Sequence, residues 1–261
     1  MISNIRELIH YRELLWRWVV RNIKVRYKQS LLGAVWAILQ PLSTTILFTL
    51  IFSYFLKIDT GGVPYPIFYY SALLPWTFFA SSISFGVQSL VSNLGLVTKI
   101  YFPKEILPIS TVLACFVDFL VAAIIYVVMM ILYRVPVGPS LLLLPVLLLI
   151  QMLLTAGVVL LASALNVFYR DIRFVVPLVT QLWMYLTPII YPVSQVPERF
   201  RTLYMIVNPM AGLIDSYRHI VLTADWPQYP YLLSSAAISV ALFLVAYWYF
   251  KRAEPVFADI I

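Results

Sequence analysis

One carboxylate, Asp118, lies near the middle of an apolar stretch long enough to cross a membrane, residues 106–133. An ionised carboxylate there costs about 2.5–3.5 kcal/mol on insertion scales, so its default reading is functional: a proton relay or an ion site. A relay needs partners, and the apolar stretches hold no other charged side chain. In a helix, Thr111, Cys115, Ala122 and Tyr126 share the face of Asp118, and such small-residue faces suit helix packing. The competing reading is structural: a packed, hydrogen-bonded Asp118, with or without its proton.

Other chemistry is sparse. No glycine precedes Lys-Ser or Lys-Thr, so the phosphate-cradling P-loop is missing. No paired-carboxylate or Ser/His/Asp constellation stands in register, which argues against an enzyme. One cysteine, Cys115, and two distant histidines, His10 and His219, argue against a metal site. Uphill transport would need its nucleotide chemistry on a separate subunit.

Polar residues recur at helical spacing instead. Tyr70, Thr77, Ser81, Ser84, Gln88 and Ser92 form one stripe, Trp36, Gln40, Ser43 and Thr44 a second, and Gln181, Tyr185 and Thr187 a third. Single hydroxyls glue helices together, whereas a stripe the length of a span suits a wet pathway. Aromatics make up 16% of the chain and crowd into Tyr65, Phe68, Tyr69, Tyr70, Trp76, Phe78 and Phe79. In a helix this run extends ~22 Å, deeper than an interfacial belt. Trp183, Tyr185 and Tyr191 add to it. Aromatic faces and hydroxyls suit a sugar polymer better than an inorganic ion, although lipid-facing aromatics have the same composition.

The elements that position these residues follow from hydropathy. The 261 residues are 62% hydrophobic and 11% charged, with mean hydropathy +0.92. That excludes a typical cytosolic enzyme, a disordered chain and a nucleic-acid-binding module. Six apolar stretches, about 32–56, 66–92, 106–133, 140–168, 174–192 and 231–250, are expected as transmembrane helices of an all-α polytopic protein. Pro41, Pro75, Pro108, Pro145 and Pro188 fall inside them as tolerated kinks. Most of the 18 Lys and Arg lie in the N-terminal segment, the second and fourth connections and the C-terminal tail, which puts both termini in the cytoplasm.

Residues 1–31 lack the apolar core of a signal peptide and are expected as an amphipathic interface helix ahead of the membrane domain, 32–261. Arg6, His10, Glu13, Arg17, Arg21, Lys24 and Lys28 share one face, with Ile5, Leu8, Leu15, Val19 and Ile23 opposite. Arg12 and Arg26 interrupt the apolar face. The helix serves as a topology anchor, with or without a docking surface for a cytoplasmic partner. The connection 193–230 holds two apolar patches, 203–207 and 211–214, split by Asn208-Pro209 and followed by Asp215, Arg218 and His219. Short re-entrant or surface helices are expected there.

Ordered motifs give a resemblance. Arg26-Tyr27-Lys28-Gln29-Ser30-Leu31-Leu32-Gly33 with Trp36 and Gln40-Pro41-Leu42 resembles the first-span signature of ABC-2 type permeases that export polysaccharides. The run from Lys99 through Tyr101, Phe102, Pro103, Lys104 and Glu105 to Pro108 is similar to that family's cytoplasmic coupling segment. Asn166 to Ile172 and Leu186 to Pro192 complete the pattern. The resemblance implies an inner-membrane homodimer that docks two copies of a separate ATPase, with ATP and Mg on that partner and no cofactor in this chain. It implies a channel for a lipid-linked polysaccharide such as O-antigen, lined by the stripes together with Tyr69, Trp76, Trp183 and Tyr191. Coupling would run through Arg17, Arg21, Lys24 and Lys28 and through the second connection, with Tyr101 and Phe102 as apolar anchors. The last outer connection would form gate helices. The residues alone leave a six-span secondary transporter and a membrane-embedded glycan or lipid transferase as rivals.

Overall fold

The computed structural model describes residue 7, residues 9–28 and residues 33–257, with backbone alone at 34. The expectations for Ile5, Arg6 and Leu8, and for motif residues 29–32 where the first span was to begin, lie outside the described residues. Among the described residues there are helices and no strand. The principal helices are α1 Arg12–Tyr27, α2 Trp36–Thr49, α3 Tyr65–Gly86, α4 Ile106–Leu132, α5 Leu144–Phe168, α6 Ile172–Tyr185, α7 Glu198–Val207, α8 Pro209–Arg218 and α9 Tyr229–Ala253.

Four helical stretches are long and apolar enough to cross a membrane: Trp36–Phe55, Ile106–Leu132, Pro139–Phe168 and Tyr229–Val256. The expectation of six is met on those grounds at four. At 22 residues α3 is long enough, but its tyrosines, serines and tryptophan lower its hydropathy. Helix α6 has 14 residues, short of the 174–192 expected. It stops before Thr187-Pro188 because a residue preceding proline is pushed out of the helical region.

The prolines sort differently from the expectation. Pro41 and Pro75 are inside helices, and so is Pro177, outside the expected set. Pro145 opens α5, where its missing N–H costs nothing. Pro108 falls in the first turn of α4, and Pro188 lies beyond α6. The end of α2 widens into a π-helical turn, Leu50–Phe55.

Helix α3 is the hub. Sixteen of its residues are buried, including Tyr69, Tyr70, Trp76 and Phe79, in a core shared with α4, α5 and α8. A second core joins α1, the second connection, α5 and α9 through Trp18, Phe102, Ile106, Leu160, Phe250 and Phe257. Helices α5 and α9 approach closely because Gly157 lets the Phe243 backbone in: a Cβ there would sit 3.0 Å from the Phe243 Cα.

Candidate functional site

The first constellation starts on α1. Its buried face carries Trp18 and Val19, with Leu14 and Leu15 beside them. Asn22 continues that face and donates to Ser110 Oγ (3.1 Å), and Arg26 ion-pairs with Asp118. Tyr27 Oη donates to the other Asp118 oxygen (2.8 Å), and Arg26 Nη2 reaches Cys115 Sγ (3.3 Å). Burial and the Asp118 hydrogen bond push the Tyr27 phenol up to about 12. Asp118 thus has a charged partner after all, supplied by a residue that interrupts the apolar face of α1. Arg26 belongs to none of the apolar stretches, so their composition holds no sign of the pair.

Arg17, Arg21, Lys24 and Lys28 are exposed, and Arg21 donates to Asn93 Oδ1 (3.1 Å), close to the second connection. In that connection Lys99 is exposed and Tyr101 is 84% exposed, whereas Phe102 and Pro103 are buried and Phe102 belongs to the second core. The two expected anchors therefore face opposite ways. Glu105 is fully buried, its Oε2 accepting from Lys251 Nζ (2.7 Å) and its Oε1 from Tyr247 Oη (3.3 Å). Burial raises its carboxyl, and the Lys251 bond pulls it back. Lys251 also reaches Glu254 Oε2 (2.8 Å), whose Oε1 accepts from the half-buried Lys104 N–H (2.8 Å). The second connection is clamped to the end of α9, and Tyr101 projects from the clamp.

The stripes divide likewise. Tyr69, Tyr70 and Trp76 pack inside the chain, and Tyr70 stacks on Tyr126 while donating to Ala122 O (3.0 Å). Thr77 and Ser81 are half-buried and bond to their own helix. Trp36, Gln40, Ser43, Ser84, Gln88, Gln181 and Tyr185 are exposed, and Thr44 is half-buried. Trp183 and Tyr191 are half-buried, Trp183 packing edge-on against Phe79.

The connection after α6 forms two helices, α7 and α8, broken at Asn208-Pro209 as the sequence suggests. Asn208 caps α8 by accepting from Ala211 N–H (3.3 Å) and also accepts from Trp183 Nε1 (2.9 Å). Its amide donates to Leu186 O (2.9 Å) and Thr187 Oγ1 (3.1 Å). Every residue of α8 is buried, but only Met205 of α7.

The sequence profile of ABC-2 type transporters matches residues 13–222, from α1 past the end of α8. The chain belongs to this family. A relative from Myxococcus xanthus, O-antigen export system permease protein RfbA, is 32% identical over 260 residues, 99% of each chain. A Klebsiella pneumoniae protein of the same name is 30% identical over 92% of each. Polysialic acid transport protein KpsM of Escherichia coli is 24% identical over 78% of this chain and 79% of its own.

In this ABC-2 chain, two amides and a phenol hold the frame, and of these Gln151 and Tyr217 had not stood out in the sequence. Gln151 Nε2 donates to Pro75 O (2.7 Å), and its Oε1 accepts from Tyr217 Oη (2.8 Å), so α5 ties α3 to α8. Asn166 Nδ2 donates to Val87 O (3.0 Å). A lone amide in an apolar run was the available signal, since polar groups buried in helices are there to be bonded.

Proposed function

We propose that this ABC-2 chain is the membrane-spanning permease subunit of an ABC exporter that carries a lipid-linked polysaccharide, O-antigen-like, from the cytoplasm to the outer face. One observation carries the reading. Helix α6 has no buried residue and α2 only Pro41 and Thr45, yet these helices expose Gln40, Ser43, Gln181 and Tyr185. Uncovered amides facing lipid are costly, so a second copy is the fitting cover. The polar faces of two copies would then enclose the path, with Ser84 and Gln88 toward its cytoplasmic end and Tyr69, Tyr70 and Trp76 as rigid backing. A sliding polymer needs weak, repeated contacts, which hydroxyls, amides and aromatic faces provide.

In this reading α2, α3, α4, α5, α6 and α9 make six crossings of the bacterial inner membrane with both termini cytoplasmic. Helices α7 and α8 form a re-entrant outer gate. Two copies of a separate ATPase, holding ATP and Mg, dock on the surface formed by the basic face of α1 and Tyr101. The names of the relatives support the cargo class. The test is reconstitution in liposomes with and without the ATPase, measuring export of lipid-linked glycan. Export that needs both subunits is the expected result, and ATP-driven export by this chain alone would sink the proposal.

A further inference from the structure

A cavity of about 380 Å³ lies where the end of α8, the loop before α3, the segment after α6 and the start of α9 meet. Arg218, the last residue of α8, forms part of its wall and is 7% exposed. Its two η nitrogens donate to Pro188 O (2.6 Å) and Ile189 O (2.8 Å), and the guanidinium lies 3.7 Å over the Phe68 ring. These contacts fix the plane of the group but supply no negative charge. Among the described residues no carboxylate stands within ion-pair distance of it, and its Nε has no acceptor. Burial lowers it to about 9, which still leaves it charged at neutral pH. Asp215, in the same wall, favours the charged guanidinium from beyond contact distance, but the orphaned Nε remains, and an orphaned buried donor calls for a bound ion, water or ligand.

The rest of the wall is mixed in charge but includes a further cation. Arg201 on α7 adds a second guanidinium, braced by Ser194 O (3.2 Å) and Val196 O (3.1 Å). Asp215, an acid in the wall, lies 3.4 Å from His219 Nδ1; burial raises its carboxyl, and His219 and Arg218 pull it back. The amide of Gln228 adds a further donor to the wall, whereas the Thr60 hydroxyl donates to Val63 O.

We propose that this cavity binds a phosphate group. Phosphate offers several acceptor oxygens to donors that converge from different elements, and arginines match its geometry. The cavity's place on the outer side of the membrane rests on the topology proposed above. A phospholipid headgroup and a soluble phosphate share this chemistry.

Binding is measured on the purified full-length chain in neutral detergent, by thermal shift and native mass spectrometry. The probes are dioleoyl phosphatidylglycerol, inorganic phosphate, and dioleoylglycerol, which lacks phosphate. Binding of at least one phosphate probe, and none of dioleoylglycerol, is expected. Response to the lipid alone assigns a headgroup, and response to inorganic phosphate assigns a soluble phosphate. Arg218→Gln should weaken binding about tenfold or more. Should that variant fail to fold, Arg201→Gln with His219→Gln, both less buried, should give the same direction. An equal response to dioleoylglycerol, or undiminished binding in the folded variants, would overturn the site. Export is assayed in parallel. Phosphate binding without export counts against the transport reading alone, and export by a chain that binds no phosphate counts against the site alone.

Discussion

Arg26 and Asp118 form an ion pair that ties the last turn of α1 to the middle of α4. Asp118 lies about 18 Å along α4 from its first residue, at about 1.5 Å per residue. A push on α1 is therefore delivered partway along a long helix rather than at its tip. The pair is half-buried, so its worth lies between that of exposed and fully buried pairs. Asp118→Asn should lower stability by about 1–3 kcal/mol, read as thermal unfolding in detergent. The exchange Arg26→Asp with Asp118→Arg should recover part of the loss, and no recovery would show that the charges do not act as a pair.

Tyr101 and Phe102 should separate in a single experiment. Tyr101→Ala removes an exposed ring and should leave thermal stability unchanged while weakening co-purification of the ATPase. Phe102→Ala empties part of a core and should cost about 3–5 kcal/mol. The opposite assignment in a stability assay would show that the two rings exchange places.

Lys251 neutralises the fully buried Glu105. Lys251→Met strands that carboxylate and should cost about 3–5 kcal/mol. Adding Glu105→Gln removes the stranded charge and should return much of the stability. A double variant no better than the single one would mean that packing, not charge, holds the clamp.

Gly212 brings α8 against α9. A Cβ there would lie 2.8 Å from Tyr231 O and closer still to Ser235 Oγ. Gly212→Ala should destabilise by about 1–3 kcal/mol through overpacking. Gly95→Ala meets nothing within 4 Å and is the control. Equal melting temperatures for the two variants would rule out close contact between these helices.

Single cysteines at positions 43, 84 and 181, with Cys115 replaced, should react with a water-soluble thiol reagent, and transiting glycan should slow the reaction. Cysteines at 70 and 76 should stay unreactive because those side chains are buried. Labelling at 70 equal to that at 43 would contradict the division between lining and backing.

Much of this was legible in the sequence. Hydropathy located α4, α5 and α9, and Asn208-Pro209 marked the break between α7 and α8, because asparagine caps helices and proline starts them. Periodicity put Tyr70 on the same face as Gln88 but could not tell which end of α3 other helices would cover. Tyr70 went inside since α4 presents Tyr126 to it, and Gln88 stayed outside. Nor could spacing say that Phe102 turns inward while Tyr101 turns out: that depends on Trp18 and Phe250 arriving from distant parts of the chain. Arg26 read as a blemish on an apolar face because its partner is 92 residues away.

Gln151 spends its donor on a backbone carbonyl and its acceptor on Tyr217. Any residue at 75 supplies the carbonyl, so that half of the attachment is indifferent to mutation. The other half is not. Phenylalanine at 217 would leave the Gln151 oxygen orphaned, and methionine at 151 would orphan the phenol, each in a dry interior. Simultaneous loss of both groups is the milder change. Along a lineage, positions 151 and 217 should therefore drift together, and the joint between α5 and α8 should be inherited as a unit.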